Sequence, residues 1–291
     1  MTVRTGRFGV WTVQPQWPAE ASERAAIAVG LEELGFGAIW FGNAGGDLDL
    51  PAQVLAATSR ITAATGIVNV WTEPAELVAR RRAEIVRDHP DRLLLGIGAG
   101  HRESVEPRTG RRYERPYQAV VDYLDRLDAA VPPVPPAERA LAALGPRLLG
   151  LARDRAAGAV PYLVTPAHTR WAREILGDGP LLAPGQMVLL EPDPTAARRA
   201  ARAALAVYLK RVNYTRNLLR IGFTADDLAA GGSDRLVDGL VAWGDPATVV
   251  DRLTEHHQAG ADHVGIHLIT PGGTPPLAQW RRLAAALSPP V

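Results

Sequence analysis

The stretch FGVWTVQPQWPAEASERAAIAVGLEELGFGAIWFG, residues 8–42, contains one complete strand–helix–strand unit. Its apolar start at 8–11 predicts a strand, and apolar residues at the spacing of one helix face between 27 and 34 predict a helix. The run at 38–41 is continuously apolar, as expected of a strand that is covered on both faces in a parallel sheet. The unit is therefore β-α-β.

The same alternation continues along the chain and decides the fold class. Further strands are predicted at 62–70, 93–97, 139–144, 159–164, 186–190 and 263–269. Further helices are predicted at 51–60, 74–88, 116–129, 146–157, 166–176, 246–258 and 276–287. Eight strands alternating with about eight helices favour an α/β fold of the closed (β/α)8 type, the TIM barrel, over a doubly wound open sheet.

The loops after the strands are expected to carry the functional groups, because TIM barrels bind their ligands at that end. Those loops fall at 12–17, 42–49, 66–73, 98–115, 145, 165–170, 191–193 and 267–274. Two regions are oversized: an insertion after strand 4, at 101–115, and the region 195–245. We expect one domain, 1–291, because the length suits a single barrel.

Composition limits the function classes. The 32 basic and 31 acidic residues leave a net charge of +1, so the chain lacks the cationic field of a nucleic-acid-binding protein. The absence of cysteine excludes disulfides, thiolate metal sites and a cysteine nucleophile. No apolar stretch reaches the roughly 18 residues of a membrane span, and the N-terminus shows no secretory signal. We therefore expect a cytoplasmic protein with no nucleic-acid partner and no membrane partner.

Short motifs exclude several kinds of site. Residues 96–100 read Gly-Ile-Gly-Ala-Gly, but the G-x-G-x-x-G spacing fails at His101, which favours a glycine-lined turn that a flat ligand can approach. His263 and His267 are four residues apart on a predicted strand, about 13 Å at roughly 3.3 Å per residue, too far to share one metal ion. No metal site is expected.

The sequence Thr165-Pro166-Ala167-His168 follows a predicted strand and opens a helix. Thr165 suits the N-cap and Pro166 the first helical position, so an ordinary helix start explains both. His168 is not explained, since a cation near a helix N-terminus opposes the helix dipole unless an anion is bound there. A phosphate at this position is the alternative interpretation.

Three segments resemble the bacterial luciferase-like superfamily, most closely its actinobacterial branch of probable coenzyme F420-dependent oxidoreductases. They are 65–71, TGIVNVW, then 95–100, LGIGAG, and 259–264, AGADHV. Similarity extends to 222–224, 231–235 and 243–246, so that it spans nearly the whole chain.

This resemblance implies a TIM barrel that holds a deazaflavin or flavin ring at its mouth, on a bulge after the third strand that often contains a non-proline cis peptide. Gly66–Ile67 matches that position, Asn69 would lie beside the ring, and the phosphate loop falls on Thr165 and His168. The full set of cofactor contacts expected is Asn43, Gly66, Ile67, Asn69, Gly98, Ala99, Ser104, Thr165 and His168.

The chain also departs from the pattern of these relatives. Deazaflavin dehydrogenases of the superfamily often carry an Asp-His pair after the second strand and an acid after the fourth, where this chain has Asn43-Ala44 and His101. His101 is then the general acid or base expected by position, a solvated loop residue being the alternative.

The function that this pattern favours is an F420-dependent oxidoreductase that transfers a hydride between the deazaflavin and a small organic substrate. An FMN-dependent luciferase-like monooxygenase would share the same features. A protein that binds F420 or flavin without turnover is the third interpretation, because the Asp-His pair is missing. A homodimer is compatible with all three.

Overall fold

The computed structural model describes residues 3–270 and 277–287. Within these residues eleven strands are formed: β1 Phe8–Val13, β2 Ala38–Gly42, β3 Thr62–Thr65, β4 Val68–Asn69, β5 Leu93–Gly98, β6 Arg139–Leu141, β7 Gly158–Ala159, β8 Leu181–Leu182, β9 Gly185–Leu189, β10 Val241–Trp243 and β11 Val264–Leu268. Every strand pairing is parallel.

Helices separate most of the strands. They are α1 Ala21–Glu33, α2 Asp49–Ala57, α3 Ala75–Asp88, α4 Arg102–Thr109, α5 Pro116–Ala129, α6 Pro146–Arg155, α7 Pro166–Leu176, α8 Pro194–Leu205, α9 Val212–Arg220, α10 Ala225–Leu228, α11 Asp234–Leu240, α12 Pro246–Gln258 and α13 Leu277–Leu287. The predicted start of the last helix at 276, and 271–274 of the last predicted loop, lie outside the described residues.

The strands close into a ring, which confirms the predicted TIM-barrel fold. Their order is β9-β11-β1-β2-β3-β5-β6-β7-β8, and β8 and β9 are consecutive pieces of one extended segment, 181–189. Its first part pairs with β7 and its second part with β11, while Tyr162 bridges Gly185 between them. The eight predicted strands are thus the eight strands of the barrel, with β3 and β4 as two pieces of the third.

The helices of the two oversized regions and one strand were not predicted. In the region after strand 4 the chain forms α4, and α8–α11 fill most of 195–240. β10 pairs with β9 beyond the end of β7 and adds a strand beside the barrel. The buried residues Ala197, Ala201 and Leu205 have the spacing of one helix face, so the sequence did contain a local signal for α8.

Aromatic side chains fill the inside of the barrel. Trp11 and Trp40 stack with ring centroids 5.6 Å apart, and Tyr162 lies 4.9 Å from Trp11. Facing positions are glycines, since a Cβ at Gly185 would come within 2.5 Å of the Tyr162 ring and a Cβ at Gly66 within 2.7 Å of Trp11. The interior is therefore packed solid, and a ligand cavity can form only above these rings.

Two buried histidines connect parts of the barrel through hydrogen bonds, and the bond that His263 accepts from Trp40 requires a neutral ring. His263 accepts from Trp40 Nε1 at 2.9 Å and bonds the Gly6 carbonyl at 2.8 Å, while His256 bonds Gln186 and Thr169, each at 2.8 Å. Both side chains are fully buried. Burial lowers the pKa of His256 to about 3 and that of His263 to about 4.

The first prediction follows from these two histidines. The unfolded chain binds protons on them below a pKa of about 6.5, whereas the folded chain does not until about pH 4, so stability should fall as the pH is lowered through this window. Each histidine should contribute a slope of about 1.4 kcal/mol per pH unit there.

Urea denaturation between pH 7.5 and 4.5 measures this slope. His256→Gln should reduce the slope by the contribution of one proton. A free energy of unfolding that does not change with pH in either protein would contradict the conclusion that these histidines are buried in the neutral form.

Candidate active site

A cavity of about 890 Å³ opens at the carboxyl ends of the strands, where barrel enzymes bind their ligands. This volume lies in the upper part of the range of roughly 300–1,000 Å³ that is usual for small-molecule sites. Its lining comes from the loops after β1 to β7 and from the segment 207–220.

The floor of the cavity lies between the third barrel strand, made of β3 and β4, and the fourth, β5. The Gly66–Ile67 peptide that links β3 to β4 is cis, as the resemblance implied. Asn69 follows, with its side-chain oxygen accepting from Trp71 N at 3.0 Å. Gly100 has φ of 60°, and a Cβ there would come within 2.4 Å of Asn69 Nδ2, so glycine keeps this side of the floor flat.

His101 stands at the rim, as the residue before α4. Its ring packs against Tyr214 at a centroid distance of 4.9 Å. Burial and, to a lesser extent, the charge of Arg211 lower the pKa of His101 to about 4, against an opposing effect of Glu103. Its Nδ1 is buried and has no hydrogen-bond partner among the described residues. At neutral pH this imidazole is uncharged and can accept a proton.

Three tyrosines form one wall of the cavity: Tyr162, Tyr208 and Tyr214. Their ring centroids lie 5.5 to 6.3 Å apart, and the Tyr162 hydroxyl contacts Tyr208 Oη at 3.4 Å and also bonds His267 Nδ1. Burial raises the pKa of all three hydroxyls, which therefore stay protonated.

The two insertions meet over the mouth and form a roof, defined as 102–109 together with 206–214. Arg211 bonds the Ser104 hydroxyl, and Val212 N donates to Glu103 at 3.1 Å. Asn213 donates to the Gly100 carbonyl at 2.9 Å and to the Tyr113 hydroxyl at 3.3 Å. These bonds connect segments about 100 residues apart in sequence.

Positive charge dominates the side of the cavity next to the fifth barrel strand, β6. Of the described residues that line the cavity, five are arginines, at 108, 147, 211, 216 and 220, and the one acid is Glu73. Helix α6 begins here at Pro146 without a side-chain cap, so the N–H groups of its first turn have no side-chain acceptor, and residues 145–148 line the cavity. Asn217, 1% exposed, adds an Nδ2 that has no partner among the described residues.

A family model described as luciferase-like monooxygenase matches residues 2–263. The chain belongs to this family. Among solved structures, this luciferase-like chain resembles an F420-dependent secondary alcohol dehydrogenase in complex with an F420–acetone adduct, with a TM-score of 0.72 and 16% identity over 98% of this chain and 99% of that one. No curated protein matches the chain.

Two further structures show the range of cofactors on this fold. One is a coenzyme F420-dependent tetrahydromethanopterin reductase from Methanopyrus kandleri, with a TM-score of 0.69 and 17% identity over 97% of this chain and 98% of that one. The other, in complex with FMN, is the oxygenating constituent of 3,6-diketocamphane monooxygenase from the CAM plasmid of Pseudomonas putida, with a TM-score of 0.67 and 14% identity over 97% and 96%. Identities this low show the fold alone.

Two further features of the described residues concern membrane spans and metal ions. No helix within 3–270 and 277–287 is long and apolar enough to cross a membrane. In the same ranges, no three His, Cys, Asp or Glu side chains come together in a way that could hold a metal ion. His263 instead serves the barrel interior, as described above.

Most of the site residues expected from sequence line the cavity of the luciferase-like barrel. They are Asn43, Gly66, Ile67, Asn69, Ala99, His101 and Ser104. Gly98 lies just below the lining, where a Cβ would come within 2.9 Å of Ala142. Sequence reasoning missed the tyrosine wall and the arginines at 147, 216 and 220, because side chains from distant helices meet here without any local motif.

Thr165 and His168 lie outside the cavity lining. The Thr165 hydroxyl accepts from His168 N at 3.3 Å, so it caps α7. The His168 ring is 1% exposed and bonds the Leu144 carbonyl at 3.0 Å. Burial lowers the pKa of His168 to about 4, so it carries no charge at neutral pH and does not oppose the helix dipole. The pH-dependent anion binding that a charged His168 would give is therefore not expected.

The second prediction concerns the roof. Asn213→Ala removes two hydrogen bonds between the insertions, and we expect amide exchange in 102–109 and 206–214 to become about 30-fold faster, because the two bonds together contribute about 2 kcal/mol. Lys210→Ala, an exposed neighbour, is the matched control. Equal protection in the two variants, measured by hydrogen–deuterium exchange, would show that the two insertions are not held together by Asn213.

Proposed function

We propose that this chain is a coenzyme F420-dependent oxidoreductase that transfers a hydride between the deazaflavin and a small organic substrate. The observation that carries the proposal is the charge of the cavity, with five arginines and one glutamate among its described lining residues. F420 extends from its ring into a long anionic tail, whereas FMN ends in a single phosphate. A wall with this excess of cations suits the longer tail.

The floor suits a flat ring. The cis Gly66–Ile67 peptide and the turn at Ala99 and Gly100 bring backbone rather than side chains to the cavity surface. Trp11 lies directly under Gly66 and prevents the floor from sinking into the barrel. A tricyclic ring could therefore rest on this floor with its edge toward Asn69 and Asn43.

The start of α6 suits an anionic group of the cofactor. Helix N-termini bind phosphate through free backbone N–H groups and the helix dipole. Arg147 belongs to the first turn, and the unpaired Nδ2 of Asn217 supplies another donor beside it. Arg220 holds Asn217 by bonding its side-chain oxygen and also donates to the Leu144 carbonyl at 2.7 Å. These groups replace Thr165 and His168 as the proposed phosphate contacts.

The deazaflavin supplies the hydride chemistry when bound. The chain's own residues bind the cofactor, cover the site and exchange a proton with the substrate. The roof excludes water from the mouth, which strengthens the electrostatic interactions inside. His101, uncharged at neutral pH, is placed at the rim to exchange a proton with the substrate.

The third prediction concerns the cofactor. Fluorescence titration of the apo protein should show tighter binding of F420 than of FMN. Arg147→Ala should weaken F420 binding about tenfold, since a hydrogen bond to a charged group contributes about 1.5 kcal/mol or more. Arg199→Ala removes an exposed arginine that lies outside the cavity lining, and it should leave the affinity unchanged.

Equal or tighter binding of FMN would instead favour a flavin-dependent monooxygenase. Tight F420 binding without turnover of any substrate would favour a protein that only carries the cofactor.

The fourth prediction concerns His101. His101→Ala should lower turnover about 100-fold or more and leave the F420 dissociation constant within twofold. Because the neutral ring accepts the proton, activity should also be lost as the pH falls through about 4. His89→Ala, on a histidine outside the cavity lining, is the control for replacing a partly buried imidazole. Unchanged turnover in His101→Ala would reduce His101 to a loop residue.

A further inference from the structure

Tyrosines concentrate around the cavity. The chain has six tyrosines, and five of them line the cavity, whereas none of the four phenylalanines, all of which lie within the described residues, does so. The sixth tyrosine, Tyr123, is buried in the core. Tyrosine combines a large apolar ring with a hydroxyl that tolerates contact with water. The cavity therefore has an aromatic lining of the kind that suits a site filled by water or by a ligand in turn.

Two of the five lining tyrosines have contacts that explain them. The Tyr113 hydroxyl donates to the Gly100 carbonyl at 3.1 Å and accepts from Asn213, so it belongs to the bonds of the roof. The Tyr117 ring supports Arg147, whose guanidinium carbon lies 4.1 Å from the ring centroid. The tyrosine wall, formed by the other three, has no such role.

The wall offers ring surface to the cavity rather than free hydroxyls. The Tyr162 and Tyr208 hydroxyls contact each other, and that of Tyr162 also bonds His267, whichever group donates. Neighbouring rings of the wall are inclined at 45° to 72°, with centroids 5.5 to 6.3 Å apart. Tyr162 and Tyr214 are each 8% exposed, whereas Tyr208 is half-buried, so Tyr208 has the largest open surface of the three.

The wall stands apart from the floor on which the cofactor ring is proposed to rest. Tyr162 follows β7, and β6 separates β7 from β5 at the edge of the floor. His101, which follows the floor residue Gly100, connects the two surfaces, since its ring lies 4.9 Å from that of Tyr214. A ligand on the wall would therefore lie beside the floor and next to the proposed proton-exchange group, which is the place of a substrate.

We propose that the tyrosine wall binds the substrate through a flat conjugated ring that carries no positive charge. An aromatic ring among inclined neighbours can direct its positive edge at their negative faces, and each such pair adds stabilisation beyond the burial of apolar area. The proposal rests on the proposed function and deepens it, because it names the class of molecule that meets the cofactor.

The charge of the cavity decides against an organic cation. Clusters of tyrosines also bind cations over their ring faces. Here, however, five arginines and one glutamate are the charged residues among the described lining of the same cavity. This excess of positive charge repels a cationic ligand and accepts a neutral or anionic one.

Calorimetric titration of the protein with three bicyclic probes tests the class of ligand. 2-Naphthol should bind at least about tenfold more tightly than decahydro-2-naphthol, which has the same carbon skeleton and at least as much apolar surface but no π system. N-Methylquinolinium, which is flat but positively charged, should bind at least about tenfold more weakly than 2-naphthol. Equal or tighter binding of either of the last two probes, or no binding of 2-naphthol, would overturn the proposal.

Two variants of one residue test whether the wall is the binding surface. Tyr208→Leu removes the ring and should weaken 2-naphthol binding about tenfold, whereas Tyr208→Phe keeps the ring and should stay within twofold of the wild type. Equal affinities of the two variants for 2-naphthol would place the probe elsewhere. The comparison of the three probes uses the wild type, so it decides the class of ligand even if Tyr208→Leu does not fold.

Titration of the F420-loaded protein separates this proposal from the proposed function. Because the wall and the floor are different surfaces, 2-naphthol should bind with and without F420 to within threefold, and Tyr208→Leu should leave the F420 dissociation constant within twofold. Displacement of F420 by 2-naphthol would show that the wall belongs to the cofactor site and would overturn the proposal. Binding of 2-naphthol by a protein that binds neither F420 nor FMN would instead overturn the proposed function.

Discussion

The stacking of Trp11 on Trp40 inside the barrel sets the position of everything above it. Two indoles fill a space that the eight barrel strands leave for only a few side chains. The neighbouring strands therefore have glycine at positions 66, 185 and 265, where a Cβ would come within 2.7 to 3.2 Å of the Trp11 ring. The packed layer therefore ends abruptly, and the cavity begins on its upper surface. Tyr162 and the peptide between β3 and β4 owe their places to this layer.

Charge in the site is carried by groups that do not titrate near neutral pH. Burial keeps His101, His168 and His267 uncharged, each with a pKa of about 4. The arginines at 147, 211, 216 and 220 supply positive charge to the cavity lining. Anion binding and proton exchange are thus assigned to different residues, so that a change of pH between 6 and 8 affects the protein surface more than the site.

The barrel could be predicted well from the sequence because its strands are continuous apolar runs, such as 38–41. Such runs indicate a parallel strand that is covered on both faces. His101 could be placed because it follows such a run closely, whereas Asn43 and Asn69 were implied by the resemblance to the luciferase-like superfamily. His168 shows where this reasoning fails: Thr165 and Pro166 mark a helix start, but no local pattern tells that the ring turns inward to the Leu144 carbonyl. Tyr208, Asn217 and Arg220 reach the site from the segment 206–220, whose position depends on packing over the whole domain, so no local pattern marks them.

The segment that supplies half of the roof leaves and re-enters the barrel at one point. β9 ends at Leu189, and the chain returns in β10, where Trp243 pairs with Leu189. The two ends of this 50-residue excursion are thus neighbours in a ladder, about 4.8 Å apart. A loop with adjoining ends can be exchanged for one of another length at little entropic cost. The barrel can therefore stay constant while this segment is replaced. Chimeras joined at 190 and 240 offer a direct route to new substrate ranges.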